Sequence, residues 1–173
     1  IIVKKKQYKT EEQPKPDPEP ENKFPFIDVA KTDWSYGAIK YMYDNKYVSG
    51  TSSTTFSPRE KLTRGMLVTI LHNIEGSPKT TETSNFPDVQ NPNDYYYSAV
   101  KWASKNKIVS GYSNGNFGPN DLITREQLAV MLNQYSVYKG TYKKVTADFS
   151  KFKDSNKISN FAKWGMNWAV GTG

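Results

Sequence analysis

The chain has no cysteine and only one histidine among its 173 residues, and these shortages exclude several kinds of site. Without cysteine it can form neither a disulfide scaffold nor a zinc–thiolate centre. It also lacks a phosphate-binding glycine loop and a cluster of metal-ligating side chains, so we expect no cofactor and no metal. His72 lies in the middle of a predicted helix, directly after Leu71, and the second copy has Asn133 at the matching position. We therefore predict that the chain is not an enzyme.

Long apolar runs are missing as well, and the charge is one-sided. No segment approaches the roughly 20 apolar residues of a membrane-spanning helix, so we expect no membrane insertion. Lys and Arg number 24 against 17 Asp and Glu, which gives a formal charge of +7. This excess favours an anionic partner such as nucleic acid, phosphate or a carboxylated polymer, although solubility alone explains it equally well. The 12 Tyr and 4 Trp suit sugar or nucleotide ligands, or a small core.

Residues 1–23 differ in composition from the rest. Three lysines at Lys4–Lys6 are followed by prolines at every second position from Pro14 to Pro20. Alternating prolines fix φ and remove backbone donors, which favours an extended, polyproline-like spacer. We predict that residues 1–23 are a linker from an upstream domain.

The sequence then repeats itself with a spacing of 60 to 61 residues between matching positions. The positions that recur in the same order are Asp28, Trp34, Gly50, Phe56, Pro58, Thr63 and Arg64 in the first copy, and Asp88, Tyr95, Gly111, Phe117, Pro119, Thr124 and Arg125 in the second. The matching motif of a third copy opens at Phe152, and the residues up to Gly173 supply one helix only. We expect copies at 24–80, 81–144 and 145–173. Units of this kind bury their apolar faces against their neighbours.

Each full copy predicts a helix, an irregular loop and a second helix. In the first copy, Ile39 and Met42 share a helical face, Asp33 is the expected N-cap, and Gly50 closes the unit. The second helix is expected to start at Thr63 and to be followed by Gly76 as a C-cap.

Capping residues differ between the copies. Thr124 and Gln127 have the spacing of a capping box. Met66 stands at the position of Gln127, so the first copy keeps only the Thr63 half of the box. In the third copy, an apolar stripe is expected to include Phe161, Ala162 and Gly165, among others.

The recurring residues, in this order, resemble the S-layer homology (SLH) domain over about residues 24–173. The resemblance implies a mainly α, pseudo-threefold repeat module: helix–loop–helix units around a central helical bundle form a three-pronged spindle, here with the third unit incomplete. It also implies an extracellular, cell wall or S-layer associated module. Such modules hold exported proteins on the wall non-covalently by binding secondary cell wall polysaccharide, often pyruvylated, in Gram-positive bacteria.

The repetition and the resemblance together predict a polysaccharide site. Its expected ligand-binding residues are Asp28, Trp34, Gly50, Arg64, Asp88, Tyr95, Gly111 and Arg125, with Thr63, Thr124 and Gln127 as structural caps. Each arginine stands at a helix start, where backbone donors and the helix dipole already favour a carboxylate. The aromatic residues offer flat faces to a sugar ring, and the aspartates can accept hydroxyl hydrogen bonds.

Structural interpretations of the same residues remain open. Each aspartate can instead order the preceding turn, Trp34 can belong to the core, and the arginines can be solvated. The two glycines are better explained as positive-φ turn residues than as ligand contacts, although glycine also permits close backbone approach.

Other functions are less well supported. A protein–protein docking scaffold at the cell surface is the main alternative. Nucleic-acid binding is disfavoured because acidic residues are interspersed with the lysines and no helix is strongly basic. The incomplete third copy leaves an apolar stripe uncovered, so we expect a less stable fragment or self-association.

Overall fold

The computed structural model describes residues 24–82 and 84–173, and this part of the chain is helical. Five α-helices follow one another along the described residues: α1 Tyr36–Asp44, α2 Arg64–Ile74, α3 Tyr97–Lys105, α4 Arg125–Tyr138 and α5 Lys163–Thr172. Two short 3-10 helices, Ser155–Lys157 and Asn160–Ala162, precede α5. The predicted mainly α class is confirmed, while the pseudo-threefold arrangement stays a prediction. The predicted linker, residues 1–23, lies outside the described residues.

The second helix of each full copy packs against the first helix of the next copy. Helix α2 packs on α3, and α4 packs on α5. At the latter contact Gly165 lies so close to α4 that a Cβ there would come within 2.8 Å of the Val130 Cα. The copies are therefore joined by shared helix pairs, as expected of repeats that cannot bury their apolar faces alone.

The main core lies between the first and second copies. Its buried side chains come from α2, α3, α4 and the segments that flank α3, and include Leu67, Val68, Leu71, Val89, Ala99, Val100, Trp102, Ile108, Phe117 and Met131. Burying a Val, Leu, Ile or Phe side chain stabilises the folded state by about 1.5–3 kcal/mol.

Helix α1 is placed differently. No other helix of the described chain packs against it, and Ile39 is its one buried residue. Ile39 belongs to a small separate cluster with Phe26 and Val29, which a group of aromatic rings surrounds. Equivalent helices of the two full copies therefore have unequal support.

None of the helices in residues 24–82 and 84–173 is long and apolar enough to cross a membrane.

The helix starts differ in how their free N–H groups are satisfied. Asp33 was predicted to cap α1, but this prediction is wrong, because its carboxylate accepts from the Ala30 N–H at 2.8 Å and the helix begins at Tyr36. At α2 the Thr63 hydroxyl accepts from the Met66 N–H at 3.2 Å. At α4 Thr124 and Gln127 exchange two hydrogen bonds of 3.2 Å, which make a capping box.

The first helical unit does not end at Gly50, as the sequence predicted. Helix α1 ends at Asp44, and the chain reverses at Lys46, whose φ is 61°. The second copy repeats this at Lys107, whose φ is 59°. These reversals could not be predicted from the sequence, because lysine, unlike glycine, rarely adopts a left-handed backbone conformation.

Candidate functional site

Two surface depressions contain predicted site residues. The central groove, of about 680 Å³, is lined by residues that include Arg64, Lys107, Gly111, Tyr112, Gln127, Gln134 and Phe161. The outer cleft, of about 700 Å³, is lined by residues that include Asp28, Trp34, Ser57, Pro58 and Glu60. The central groove draws on all three copies, whereas the outer cleft belongs to the first copy alone.

The central groove forms where the start of α2 lies across the loop that precedes α4. The Arg64 N–H donates to the Asp121 carbonyl at 3.0 Å, and the Gly65 N–H donates to the Pro119 carbonyl at 2.8 Å. An isolated antiparallel bridge between Thr63 and Leu122 flanks these bonds. The first N–H groups of a helix normally lack partners. At α2 the neighbouring loop supplies carbonyl acceptors for two of these N–H groups, so the two donors are no longer available to an anion.

Arg64 is buried at the floor of the groove, with 3% of its surface exposed. Its Nε donates to the Phe117 carbonyl at 2.8 Å, and its guanidinium carbon lies 4.5 Å from the Tyr112 ring centroid and 4.7 Å from that of Phe117. Burial lowers the pKa of Arg64, while Tyr112, Asp121 and Asp88 act in the opposite direction. Arg64 thus joins the first copy to the second and has little surface left for a ligand.

Arg125, its counterpart at the start of α4, has a different environment. Its side chain is exposed, and its guanidinium has no hydrogen bond or ion pair within the described residues. It lines neither the central groove nor the outer cleft. Matching positions of the repeat therefore do not give matching sites.

Gly50 and Gly111 allow close packing rather than a left-handed turn. Neither has a positive φ, so the preferred explanation from the sequence is wrong. A Cβ on Gly111 would lie 2.6 Å from the Asn116 carbonyl oxygen and 2.7 Å from the Phe86 ring. A Cβ on Gly50 would clash with the equivalent elements of the first copy. Both positions exclude a side chain, as the close-approach alternative requires.

Asp28 and Asp88 each fix a loop that lies further along their own copy. The alternative from the sequence, that they order the turn next to them, does not describe these contacts. Asp28 accepts from the N–H groups of Phe56 and Ser57 at 2.9 and 2.7 Å. Asp88 accepts from Phe117 and Gly118 at 2.9 and 2.7 Å. The Phe56 hydrogen bond is the main reason that the pKa of Asp28 lies below its usual value. Both oxygens of each carboxylate are engaged.

Trp34 and Tyr95 occupy the same repeat position but differ in exposure. Trp34 is 98% exposed, which rules out the core interpretation, and Tyr95 is 55% exposed. The Tyr95 hydroxyl lies 3.5 Å from the Thr63 hydroxyl, against the start of α2. Trp34 lines the outer cleft, next to Ser35, the N-cap of α1.

The structure brings together only some of the eight predicted ligand-binding residues. Asp28 and Trp34 share the outer cleft, and Arg64 and Gly111 share the central groove. The other four, Gly50, Asp88, Tyr95 and Arg125, line neither depression. Among the residues that the structure describes, no three His, Cys, Asp or Glu side chains are grouped as a metal site requires.

Sequence reasoning missed several residues of the central groove. Tyr112 directly follows the predicted site residue Gly111, and the presence of an aromatic residue at that place was the signal that could have identified it. Phe161 was predicted to lie on an apolar stripe of the third copy, yet it is 61% exposed at the groove. Lys107 and Gln134 carried no distinguishing pattern, because each is a polar residue on a predicted helix or at its end.

Comparison with known proteins identifies relatives of this region. The family model described as S-layer homology domain matches residues 25–65 and 85–129. An endoglucanase from Bacillus sp. (strain KSM-635) is 37% identical over 82% of this chain, which corresponds to 15% of that enzyme. A surface-layer 125 kDa protein of Lysinibacillus sphaericus is 31% identical over 63% of this chain and 10% of its own length. S-layer protein EA1 of Bacillus anthracis is 30% identical over 62% of this chain and 12% of its own length. The chain thus spans less than a sixth of each of these relatives.

Proposed function

Because the chain belongs to the S-layer homology family over residues 25–65 and 85–129, we propose that it anchors an exported protein at the bacterial cell wall. The anchor is non-covalent, extracellular and itself non-catalytic. Its ligand is an anionic secondary cell wall polysaccharide whose negative charge comes from pyruvate ketals. The central groove is the binding site.

The observation that carries this proposal is that the relatives of this chain are different kinds of protein. An endoglucanase and two surface-layer proteins have similarity to this chain over a small part of their length. A region common to an enzyme and to surface-layer proteins is better explained by a shared attachment task than by catalysis. This also explains why an enzyme name on one relative does not carry over to this chain.

The chemistry of the central groove supports a sugar ligand. Tyr112 and Phe161 provide aromatic faces. Gln134 provides an amide donor and acceptor for hydroxyl groups, and Gln127 provides an amide donor, since its Oε1 accepts from the Thr124 N–H. Pockets with apolar walls and a few convergent polar groups are typical ligand sites. The groove lies between copies, so the repeat must be folded for the site to exist.

A protein-docking scaffold is the second candidate, and the outer cleft favours it. Trp34, which lines the outer cleft, is 98% exposed. Exposed apolar surface of this kind is a mark of interaction surfaces. The partner would be another cell-surface protein rather than the wall glycan.

Co-sedimentation with purified Gram-positive sacculi tests the proposal. Phe161→Ser changes the rim of the central groove, and Phe152→Ser is the matched control, since Phe152 is another exposed phenylalanine of the third copy that lines neither depression. We expect Phe161→Ser to bind more weakly, while Phe152→Ser binds like wild type. Equal binding by both variants would contradict the groove assignment. A loss of binding to sacculi in Trp34→Ser alone would also contradict the groove assignment and would move the glycan site to the outer cleft.

A further inference from the structure

Four helices of the described chain end in the same hydrogen-bond arrangement. After α3 the Lys107 N–H donates to the Ser104 carbonyl at 3.0 Å, and the Ile108 N–H donates to the Ala103 carbonyl at 2.8 Å. These two bonds define a Schellman motif, in which the first residue beyond the cap adopts a left-handed backbone. Helices α1, α2 and α4 end with the same pair of bonds.

The residue in the left-handed conformation differs between the first and the second helix of each full copy. Helices α2 and α4 use Gly76 and Gly140, with φ of 76° and 67°. Helices α1 and α3 use Lys46 and Lys107. Glycine adopts this conformation without the steric penalty of a Cβ, so lysine makes the turn less stable than glycine would. A destabilising residue at an exposed turn calls for another reason for its presence.

Lys107 has such a reason in its location. Its side chain is exposed and lines the central groove, and its ammonium has no hydrogen bond or ion pair within the described residues. Arg64, the other cation of the groove, is buried and bound to the Phe117 carbonyl. No carboxylate lines the groove as the structure describes it. The accessible positive charge of this groove therefore resides on Lys107.

We propose that Lys107 determines the specificity of the central groove for an anionic sugar substituent. Its ammonium pairs with the carboxylate of a ketal-linked pyruvate, while the groove walls contact the sugar ring. A charge-assisted hydrogen bond of this kind favours the charged polymer over the same polymer without the carboxylate. This inference rests on the proposed wall-binding function and names the residue that recognises the charge.

Glycine substitutions at the two lysines separate recognition from backbone effects. Lys107→Gly and Lys46→Gly both remove a cation and both relieve a left-handed lysine, but Lys46 lines neither depression. We expect each variant to melt about 2–4 °C higher than wild type, because the turn is relaxed in both. Lys107→Arg keeps the charge and serves as the conservative variant.

The binding assay uses sacculi in three forms. They carry pyruvylated polysaccharide, polysaccharide from which mild acid has removed the pyruvate, or no polysaccharide after hydrofluoric acid. We expect Lys107→Gly to bind the pyruvylated form about three- to tenfold more weakly than wild type and to bind the depyruvylated form as wild type does. Lys46→Gly and Lys107→Arg are expected to retain wild-type affinity for the pyruvylated form.

The outcomes distinguish this inference from the function on which it rests. Unchanged binding of Lys107→Gly to pyruvylated sacculi, or an equal loss in Lys46→Gly, overturns the role of Lys107. A loss that is the same for pyruvylated and depyruvylated polymer also overturns it. Wild-type protein that binds stripped and unstripped sacculi alike overturns the proposed function itself.

Discussion

Arg64 acquires its role from the neighbouring copy rather than from its own. Arg64 and Arg125 match in sequence, yet the first is buried against Tyr112 and Phe117 while the second is exposed. The difference arises because the loop of the second copy covers the start of α2. At the start of α4 a segment of the third copy contacts Glu126, whose carboxylate accepts from the Ser159 N–H, but Arg125 is left exposed. Sequence identity between copies therefore predicts the local fold better than it predicts the function of a side chain.

This difference predicts unequal effects of removing the two arginines. Arg64→Ala is expected to lower the free energy of unfolding by about 2–4 kcal/mol, because a buried carbonyl loses its charged donor and two aromatic rings lose a cation. Arg125→Ala is expected to change it by at most about 0.5 kcal/mol. Urea denaturation followed by circular dichroism measures both values. Similar losses in the two variants would contradict the buried role of Arg64.

Two glycines in the first turns of helices provide a second residue-scale prediction. A Cβ on Gly65 would lie 2.8 Å from the Pro119 carbonyl oxygen, whereas a Cβ on Gly37 would meet nothing within 4 Å. Gly65→Ala is therefore expected to destabilise the protein by about 1–3 kcal/mol, and Gly37→Ala to stabilise it by about 0.5–1 kcal/mol. Thermal unfolding of the two variants gives the signs directly. Stabilisation by both changes would show that α2 does not lie this close to the Pro119 loop.

At the scale of elements, the sequence predicted the helices well and their boundaries less well. The spacing of apolar residues located the two helices of each full copy, because residues on the predicted apolar faces are buried in the structure. Examples are Ile39 in α1, and Leu67 and Leu71 in α2. The ends of α1 and α3 were missed because Lys46 and Lys107 stand where the usual signal is glycine. The predicted cap Asp33 failed for a related reason: its carboxylate can satisfy a turn as readily as a helix start.

The candidate site was less predictable than the helices. Its residues come from three copies, and no local pattern reports which loop will lie against which helix start. Gly111 and Arg64 were named from the sequence, but their roles in packing emerged only from the structure, in which Gly111 packs within the second copy and Arg64 joins the first copy to the second. Phe161 was predicted only to lie on an apolar stripe, because periodicity marks one face of a helix without showing what covers it.

The ends of α2 and α4 are joined by a cluster around Glu75, which accepts from the Tyr135 hydroxyl and from the Lys139 ammonium. Desolvation raises the pKa of Glu75, but the two hydrogen bonds and the positive charge of Lys139 together leave the pKa below its usual value. Desolvation, together with the hydrogen bond to Glu75, also raises the pKa of Tyr135. The cluster thus favours the ionised carboxylate and the protonated phenol.

This cluster predicts a defined pH dependence of stability. A carboxyl group whose folded pKa is lowered stabilises the protein above its unfolded pKa, and that contribution is lost as the pH falls through the folded value. Glu75→Gln is therefore expected to lower the free energy of unfolding at pH 7 and to reduce its dependence on pH below about 4.5. Urea titrations at several pH values measure this. Glu82→Gln is the control, because the Glu82–Lys105 ion pair is exposed and should contribute little. An equal flattening in the control would contradict the assignment to Glu75.

At the scale of the whole molecule, the first copy is less supported than the second. Helix α3 packs against α2, whereas no helix of the described chain packs against α1. The outer cleft beside α1 carries Trp34 at 98% exposure, and Tyr41 on α1 itself is 60% exposed. This end of the molecule therefore offers apolar surface to a partner.

Self-association was predicted from the sequence through the apolar stripe of the incomplete third copy, and that route stays a prediction. We propose that the surface beside α1 is a second route, on which another copy of this chain docks. Light scattering coupled to size-exclusion chromatography over a range of concentrations measures the mass of the species present. We expect the apparent mass to rise with concentration in wild type and to fall toward that of the monomer in Trp34→Ser. Tyr138→Ser serves as a control, since Tyr138 is an exposed aromatic residue on α4, away from the outer cleft. A strict monomer at all concentrations would contradict self-association.

Wall anchoring is the central claim at this scale, and one measurement tests it most directly. Wild-type protein is sedimented with purified Gram-positive sacculi before and after hydrofluoric acid has removed the attached polysaccharide. The proposed function predicts that the protein sediments with the intact sacculi and stays in the supernatant with the stripped ones. Equal sedimentation with both preparations, or with neither, would contradict it.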